Sequence, residues 1–363
     1  MMMKSLRRIL CLGVLCLGMG SIASAVVADT VRMRDGHPDV YYVKKGDTLW
    51  DISARFLENP WQWPELWHDN PQIDNPHLIY PGDEIRLLWT DGEPRLTVRR
   101  DGKSRTRLAD GTVKLSPRAR EMDRDSAIPA IPMNAIQSYL KEALVVSRAE
   151  IKAAPYVVGG QDRRVVYGMG DTIYARDPEQ QFENAPPRYG IYRVGEEYVD
   201  PETDEVLGYE ARQIGLATIT AHDDDMVTMR LVRSSEDVRV DDRLFPQPDR
   251  RVRAVLYPHA PAEKTTGHII RFFDRINSVA RNDVVVINKG EIDGMEPGHV
   301  LDIFQEGELV RDRQRDETVR LPRSRSGTLV LFRVYEKVSY GLIMESIRPI
   351  YMKDIVESPE GSY

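Results

Sequence analysis

The chain has only 2 cysteines in 363 residues, Cys11 and Cys16, and both fall in an apolar run from Ile9 to Ala23. Beyond that run there is no thiol nucleophile, no thiolate metal ligand and no disulfide, so stability has to come from packed apolar cores. Long apolar stretches are missing too, because Ile9 to Ala23 falls short of the roughly 20 residues that a spanning helix needs. Lys4, Arg7 and Arg8 precede it and Ala23-Ser24-Ala25 closes it. This pattern predicts an export signal over residues 1–25, cleaved after Ala25. Neither cysteine follows a lipid-directing triplet, so no stable membrane anchor is expected. Basic charge is also in deficit: 50 Lys and Arg against 57 Asp and Glu give a formal net charge of −7. Removing Lys4, Arg7 and Arg8 makes the chain more acidic still, which opposes nucleic-acid binding.

The signatures of common hydrolases are absent or incomplete. The 7 histidines contain no His-x-His pair for a zinc peptidase. Ser138-Tyr-Leu-Lys141 and Lys264-Thr-Thr-Gly267 approximate the Ser-x-x-Lys and Lys-Thr-Gly of penicillin-binding proteins. The second carries an extra residue, however, and no Ser-x-Asn stands between them. Two carboxylates suffice for a glycosidase, and any acidic chain supplies those, so that class stays open. No catalytic residue, metal site or cofactor is assigned.

The N-terminal part has a clear local pattern. Val40 to Val43 reads as a strand and Lys45-Gly46 as its turn. Asp47 or Thr48 can cap a helix, Asp51 completes a capping box with Thr48, and Leu49, Ile52 and Phe56 recur at the spacing of a buried helical stripe. Asn59-Pro60 ends that helix, and Pro64 opens a second one through Trp67. Pro81-Gly82 suits a type II turn, and Asp83 to Leu88 reads as a returning strand. Thr90 to Pro94 reads as a linker. Residues 95–150 read as a hairpin-rich connection with a short helix capped by Asn134.

Beyond Tyr156 the signal is β. "GLATITAHDDDMVTMRLVRSSEDVRVDDRLFP" from Gly215 overlays "GTLVLFRVYEKVSYGLIMESIRPIYMKDIVES" from Gly327 without a gap. Gly215 then meets Gly327, Ser234 meets Ser346, Val238 meets Ile350 and Asp242 meets Asp354. This predicts two units, 155–247 and 267–358, joined by residues 248–282. Residues 284–304 read equally as a small barrel module or as an ordinary hairpin. The fold class is therefore α+β: a small β-α-α-β domain, then two small barrel- or sandwich-like units.

"YYVKKGDTLWDISARF" followed by "NPHLIYPGDEIRLL" resembles the LysM module, over residues 40–88. The resemblance implies binding of N-acetylglucosamine-containing glycans such as peptidoglycan. It places one groove wall at Gly46, Asp47, Thr48 and Leu49 and the other at Leu78, Ile79, Tyr80 and Pro81. Each of these residues also has a purely structural role available, as cap, core or turn. All 5 tryptophans, Trp50, Trp61, Trp63, Trp67 and Trp89, lie in or just past this unit. Trp67 reads as core, while Trp61 and Trp63 are open between core and sugar stacking. The domain order resembles exported LysM-containing proteins of Gram-negative bacteria. That implies a non-catalytic periplasmic wall-binding protein whose β half meets a protein partner, such as an envelope protein, or itself; a wall hydrolase and an envelope-assembly scaffold are the alternatives.

Overall fold

The computed structural model describes residues 31–66, 79–90, 92–99, 103–107, 113–117, 128–179, 182, 188–246, 256–273 and 277–359. The expected export signal, Trp67 and Leu78 lie outside the described residues.

The N-terminal unit runs β1 (Val40–Tyr42), α1 (Leu49–Phe56), a 3-10 turn Pro60–Gln62, α2 (Trp63–Leu66), β2 (Glu84–Thr90) and β3 (Glu93–Arg99). β1 and β3 both pair antiparallel with β2, the latter from Glu84↔Arg99 to Thr90↔Glu93. The expected linker from Thr90 to Pro94 is thus a hairpin turn, and the sheet of this unit extends to Arg99. Burial decides the matter: Leu96 and Val98 complete the core of Leu49, Ile52, Phe56, Trp63, Ile79 and Ile85. Trp61 and Trp63 are both buried, which settles them as core, whereas Trp89 is exposed.

The connection carries the hairpin β4 (Lys103–Arg107) with β5 (Val113–Pro117), then α3 (Met133–Glu142), β6 (Ala143–Val146) and α4 (Arg148–Ala153). Asn134 is not the cap of α3. Pro132 stands at that position without a side-chain bond, because proline forces Ile131 into extended backbone and the helix starts behind it. α4 has a true capping box, Ser147 with Glu150, which the sequence reading missed.

The first β unit comprises β7 (Tyr156–Gly160), β8 (Thr172–Arg176), β9 (Arg188–Val199), β10 (Val206–Asp223), β11 (Met226–Ser234) and β12 (Arg243–Pro246). These close in the cyclic order β7-β8-β11-β10-β9-β12, with β6 added on β10. The second unit comprises β13 (Thr266–Phe272), β14 (Val284–Ile287), β15 (Val300–Gln305), the side hairpin β16 (Leu309–Asp312) with β17 (Glu317–Arg320), then β18 (Ser324–Val334), β19 (Ser339–Ser346) and β20 (Ile355–Glu357). Its closed order, β13-β14-β19-β18-β15-β20, is the same circuit. Residues 284–304 are therefore part of a barrel and not a hairpin, since β14 pairs with β13 and β19.

The expected overlay holds in register. Gly215 pairs with Ser234 and Gly327 with Ser346. Isolated bridges join Tyr167 to Val238 and Val279 to Ile350 at matching positions. The match also extends upstream of Gly215: Val157 N–H donates to Asp242 O as Ile269 N–H donates to Asp354 O. Residues from Thr266 thus belong to the second barrel, and the connection between the units is shorter than the 248–282 expected.

One turn recurs throughout. A residue with positive φ is followed by an aspartate whose carboxylate accepts the N–H three residues back. In the barrels these are Gly170-Asp171 to Gly168, Asp241-Asp242 to Arg239, Asn282-Asp283 to Ala280 and Lys353-Asp354 to Tyr351, at 2.7 to 2.9 Å.

The two barrels differ in their outer faces. β8 alternates inward Ile173 and Ala175 with exposed Tyr174 and Arg176. By contrast β14 is buried along its whole length. Val285, Ile287, Leu329, Leu331 and Ile343 fill the second barrel. Val284, Val286, Val330, Phe332, Tyr340 and Leu342 face out onto Trp50, Trp61, Ile131, Ile136 and Tyr198. The N-terminal unit, α3 and the β9–β10 arm therefore cover this barrel. The arm is fastened by Arg271 to Glu196 at 2.7 Å and by Asn288 Nδ2 donating to Asp200 Oδ2 at 2.7 Å. Tyr198 and Tyr340 hydroxyls meet at 3.3 Å, and burial pushes both phenols up, so they stay neutral.

Asp283→Ala removes the carboxylate that closes the Ala280–Asp283 turn. It is expected to lower the denaturant-unfolding free energy of the second barrel by about 1–2 kcal/mol. Asn282→Gly, which relieves a positive φ of 72°, should be neutral or stabilising. Equal destabilisation by both would contradict this account of the turn.

Candidate functional site

The walls of the N-terminal groove are two copies of the same turn. In Lys44-Lys45-Gly46-Asp47, Gly46 has φ +95° and Asp47 Oδ2 accepts Lys44 N–H at 2.8 Å. In Tyr80-Pro81-Gly82-Asp83, Gly82 has φ +92° and Asp83 Oδ2 accepts Tyr80 N–H at 3.0 Å. Only glycine reaches such angles without strain. Val43 joins the turns, its N–H donating to Asp83 O at 2.9 Å and its carbonyl accepting Gly82 N–H at 2.8 Å.

The proposed contact residues divide by environment. Asp47 is committed to its turn and also accepts the Tyr41 hydroxyl at 2.8 Å. Thr48 caps α1: its Oγ1 accepts Asp51 N–H at 3.1 Å, while Asp51 Oδ2 accepts Thr48 N–H at 3.2 Å. Thr48, Leu49, Ile79 and Tyr80 are buried, Pro81 is half-buried and Gly46 is exposed. Asp51 also pairs with Arg281, so the cap of α1 is tied to the second barrel.

A third strand of backbone lies between the walls. Ile128 N–H donates to Ile79 O at 2.8 Å, and on the other side Leu49 N–H donates to Pro129 O at 3.0 Å and Trp50 N–H to Ala130 O at 3.2 Å. Ile128 and Ala130 are buried in the N-terminal core, and Ile131 in the cluster with Trp50 and Trp61. Leu49, Trp50 and Asp51 are the first three residues of α1, whose N–H groups have no partner within the helix. All three are therefore satisfied, two by the strap and one by Thr48. The sequence reading missed Trp50 and the strap. The signal available was Ile128-Pro-Ala-Ile-Pro132, an apolar tract that its prolines keep out of a helix.

Elsewhere, His259, Glu296 and His299 bring three possible ligand atoms within 4.8 Å of one another, although the two histidines are far apart in sequence. Hydrogen bonding commits their rings. Tyr257 O takes the hydrogen on His259 Nδ1 at 2.9 Å, and His299 Nδ1 accepts Glu296 N–H at 3.2 Å. The neutral His299 ring then carries its hydrogen on Nε2 and has no lone pair free for a cation. An open depression of about 550 Å³ is lined by Tyr156, Arg176, Asp177, Glu179 and Asp225. Two of its acids are engaged: Asp225 pairs with Arg176 at 2.7 Å, and Asp177 Oδ2 accepts Phe182 N–H at 2.8 Å.

Residues 41–87 match the LysM domain model, a peptidoglycan-binding domain. A stretch of 60 residues is 35% identical to the uncharacterized protein YqbP of Bacillus subtilis (strain 168), covering 14% of this chain and 27% of that protein. The chain thus spans well under two thirds of the relative it matches. Among the described residues no helix is long and apolar enough to cross a membrane.

Two outcomes are expected. Thr48→Ala removes the cap of α1 and should cost about 1 kcal/mol in unfolding measurements. His299 is held at about 4 by burial and by the charge of His259, below the ordinary 6.5. Its folded form binds a proton more weakly than its unfolded form, so the stability it contributes is complete above about 6.5 and lost as pH falls towards 4. The thermal midpoint should drop through that window, and His299→Gln should flatten the drop; an unchanged slope would show that other groups cause it.

Proposed function

We propose that this chain is a non-catalytic periplasmic protein that holds N-acetylglucosamine-containing strands of peptidoglycan through its LysM domain and presents its paired barrels to an envelope protein. The observation that carries the reading is the pair of Gly-Asp turns, at Gly46-Asp47 and Gly82-Asp83, set side by side by Val43. Between them lie the N–H groups of Leu49 and Trp50 and the carbonyl of Ile79, the polar groups of the groove, which residues 128–130 engage in this structure. An acetamido group needs such donors and such an acceptor, and its methyl needs an apolar floor, which Leu49 and Ile79 offer. Glycine at both turns lets the protein backbone come close to the sugar.

The non-catalytic part is supported by the engagement of Asp177 and Asp225 in structural contacts and by the missing nucleophile motifs. Wall association fits a LysM domain in a chain whose N-terminal residues carry the pattern of an export signal. The scaffold role rests on the second barrel, whose outer face already packs against three other segments of the chain. A barrel built to hold neighbours is a reasonable platform for a further one.

Full-length protein should sediment with purified sacculi at moderate salt, and soluble N-acetylglucosamine oligomers should compete it into the supernatant. Protein that stays in the supernatant without competitor, both as the parent and with residues 128–130 altered to vacate the groove, would sink the glycan reading. No soluble muropeptides should be released on prolonged incubation; their appearance would replace this proposal with a wall hydrolase.

A further inference from the structure

The strap from Ile128 to Ile131 makes, within the groove, the bonds that a bound amide would make. One of its N–H groups donates to Ile79 O, and two of its carbonyls accept from Leu49 and Trp50. An acetamido sugar brings the same chemistry, one N–H and one C=O, together with a methyl group in place of the Ile128 and Ala130 side chains. With the strap docked, every first-turn donor of α1 has a partner and the Ile79 carbonyl is occupied. Ile128 fills space in the core that contains Leu49 and Ile79, so the strap competes with sugar for both the polar and the apolar parts of the groove.

We propose that Ile128–Ile131 is an intramolecular stand-in for the glycan, and that glycan binds only when this strap leaves the groove. The proposal rests on the glycan reading of the LysM domain given above. The strap leads directly into α3, which packs against the second barrel. Ile131 and Ile136 share a cluster with Val330, Phe332 and Tyr340, and Arg333 Nη1 and the Tyr335 hydroxyl donate to Ala143 O just after that helix, at 2.9 and 3.1 Å. Release of the groove is thereby tied to the barrel: whatever loosens α3 from β18 also frees the strap. A protein docking on the second barrel could open the site without touching the LysM domain, and by linkage bound glycan would promote that docking.

The strap keeps its polar groups satisfied in the closed state and surrenders them on opening, so closure lowers apparent affinity by the fraction of open molecules. Ile128→Ser with Ala130→Glu removes both apolar anchors without touching either groove wall. In calorimetry with a soluble N-acetylglucosamine pentamer, the full-length double variant should bind about tenfold tighter than the parent, or more. In the unaltered protein, adding the pentamer should speed hydrogen exchange at the Ile128 amide, which loses Ile79 O. That second measurement stands even where the double variant folds poorly.

Equal affinity of parent and variant, or an Ile128 amide that stays protected with pentamer bound, overturns the strap proposal while leaving the LysM domain a glycan binder. If neither protein binds pentamer or sacculi, the glycan reading itself fails and the strap proposal with it.

Discussion

The outer face of the second barrel has to stay dry. Its strands were built apolar on both sides, so Val284, Val286, Val330, Phe332, Tyr340 and Leu342 would form a large exposed patch if nothing covered them. Each such side chain contributes on the order of 1.5–3 kcal/mol when removed from water. Burying them recruits Trp50 and Trp61 from the LysM domain, Ile131 and Ile136 from the strap and α3, and Tyr198 from the arm of the first barrel. The order of the molecule follows from that one requirement. Asp51 with Arg281 and Asp200 with Asn288 then orient the covering pieces without supplying the main driving force, as expected for partly exposed polar contacts.

The same aspartate turn builds the groove and both barrels. It combines a residue that tolerates positive φ with a short acid that reaches back to an N–H, and a strand or helix starts at once behind it. Gly46-Asp47, Gly82-Asp83 and Gly170-Asp171 have the least strained form; Lys353-Asp354, with φ +71° at a lysine, has the most strained. Matching turns stand at matching places in the two barrels, and this agrees with the register of β10 on β11 and of β18 on β19 better than residue identity does.

Local chemistry made the LysM unit legible in sequence: turn glycines, the Thr48–Asp51 box and the stripe of Leu49, Ile52 and Phe56 act over a few residues. The paired barrels were legible through spacing, since Gly215, Ser234, Val238 and Asp242 keep their separations in the second copy. What escaped depends on distant partners. Leu96 and Val98 alternate alike in a free hairpin and in the third strand of a sheet, and only burial tells the two apart. The strap looked irregular because Pro129 and Pro132 deny it a ladder, yet those prolines keep it out of a helix and so leave its backbone groups for bonds at Ile79, Leu49 and Trp50. His259 and His299 are far apart along the chain, and a barrel is needed to bring them together.

The placing of the tryptophans has an optical consequence. All 5 lie in sequence between Trp50 and Trp89, ahead of both barrels, so the barrels add no indole emission and contribute only tyrosine. Trp50 and Trp61 sit where strap, LysM domain and second barrel meet, and Trp63 stacks near Tyr257 with ring centroids 6.4 Å apart. Wetting of that junction would shift the emission to longer wavelength while the β structure stayed whole. The protein thus carries its own label for the contact between its LysM unit and its barrels.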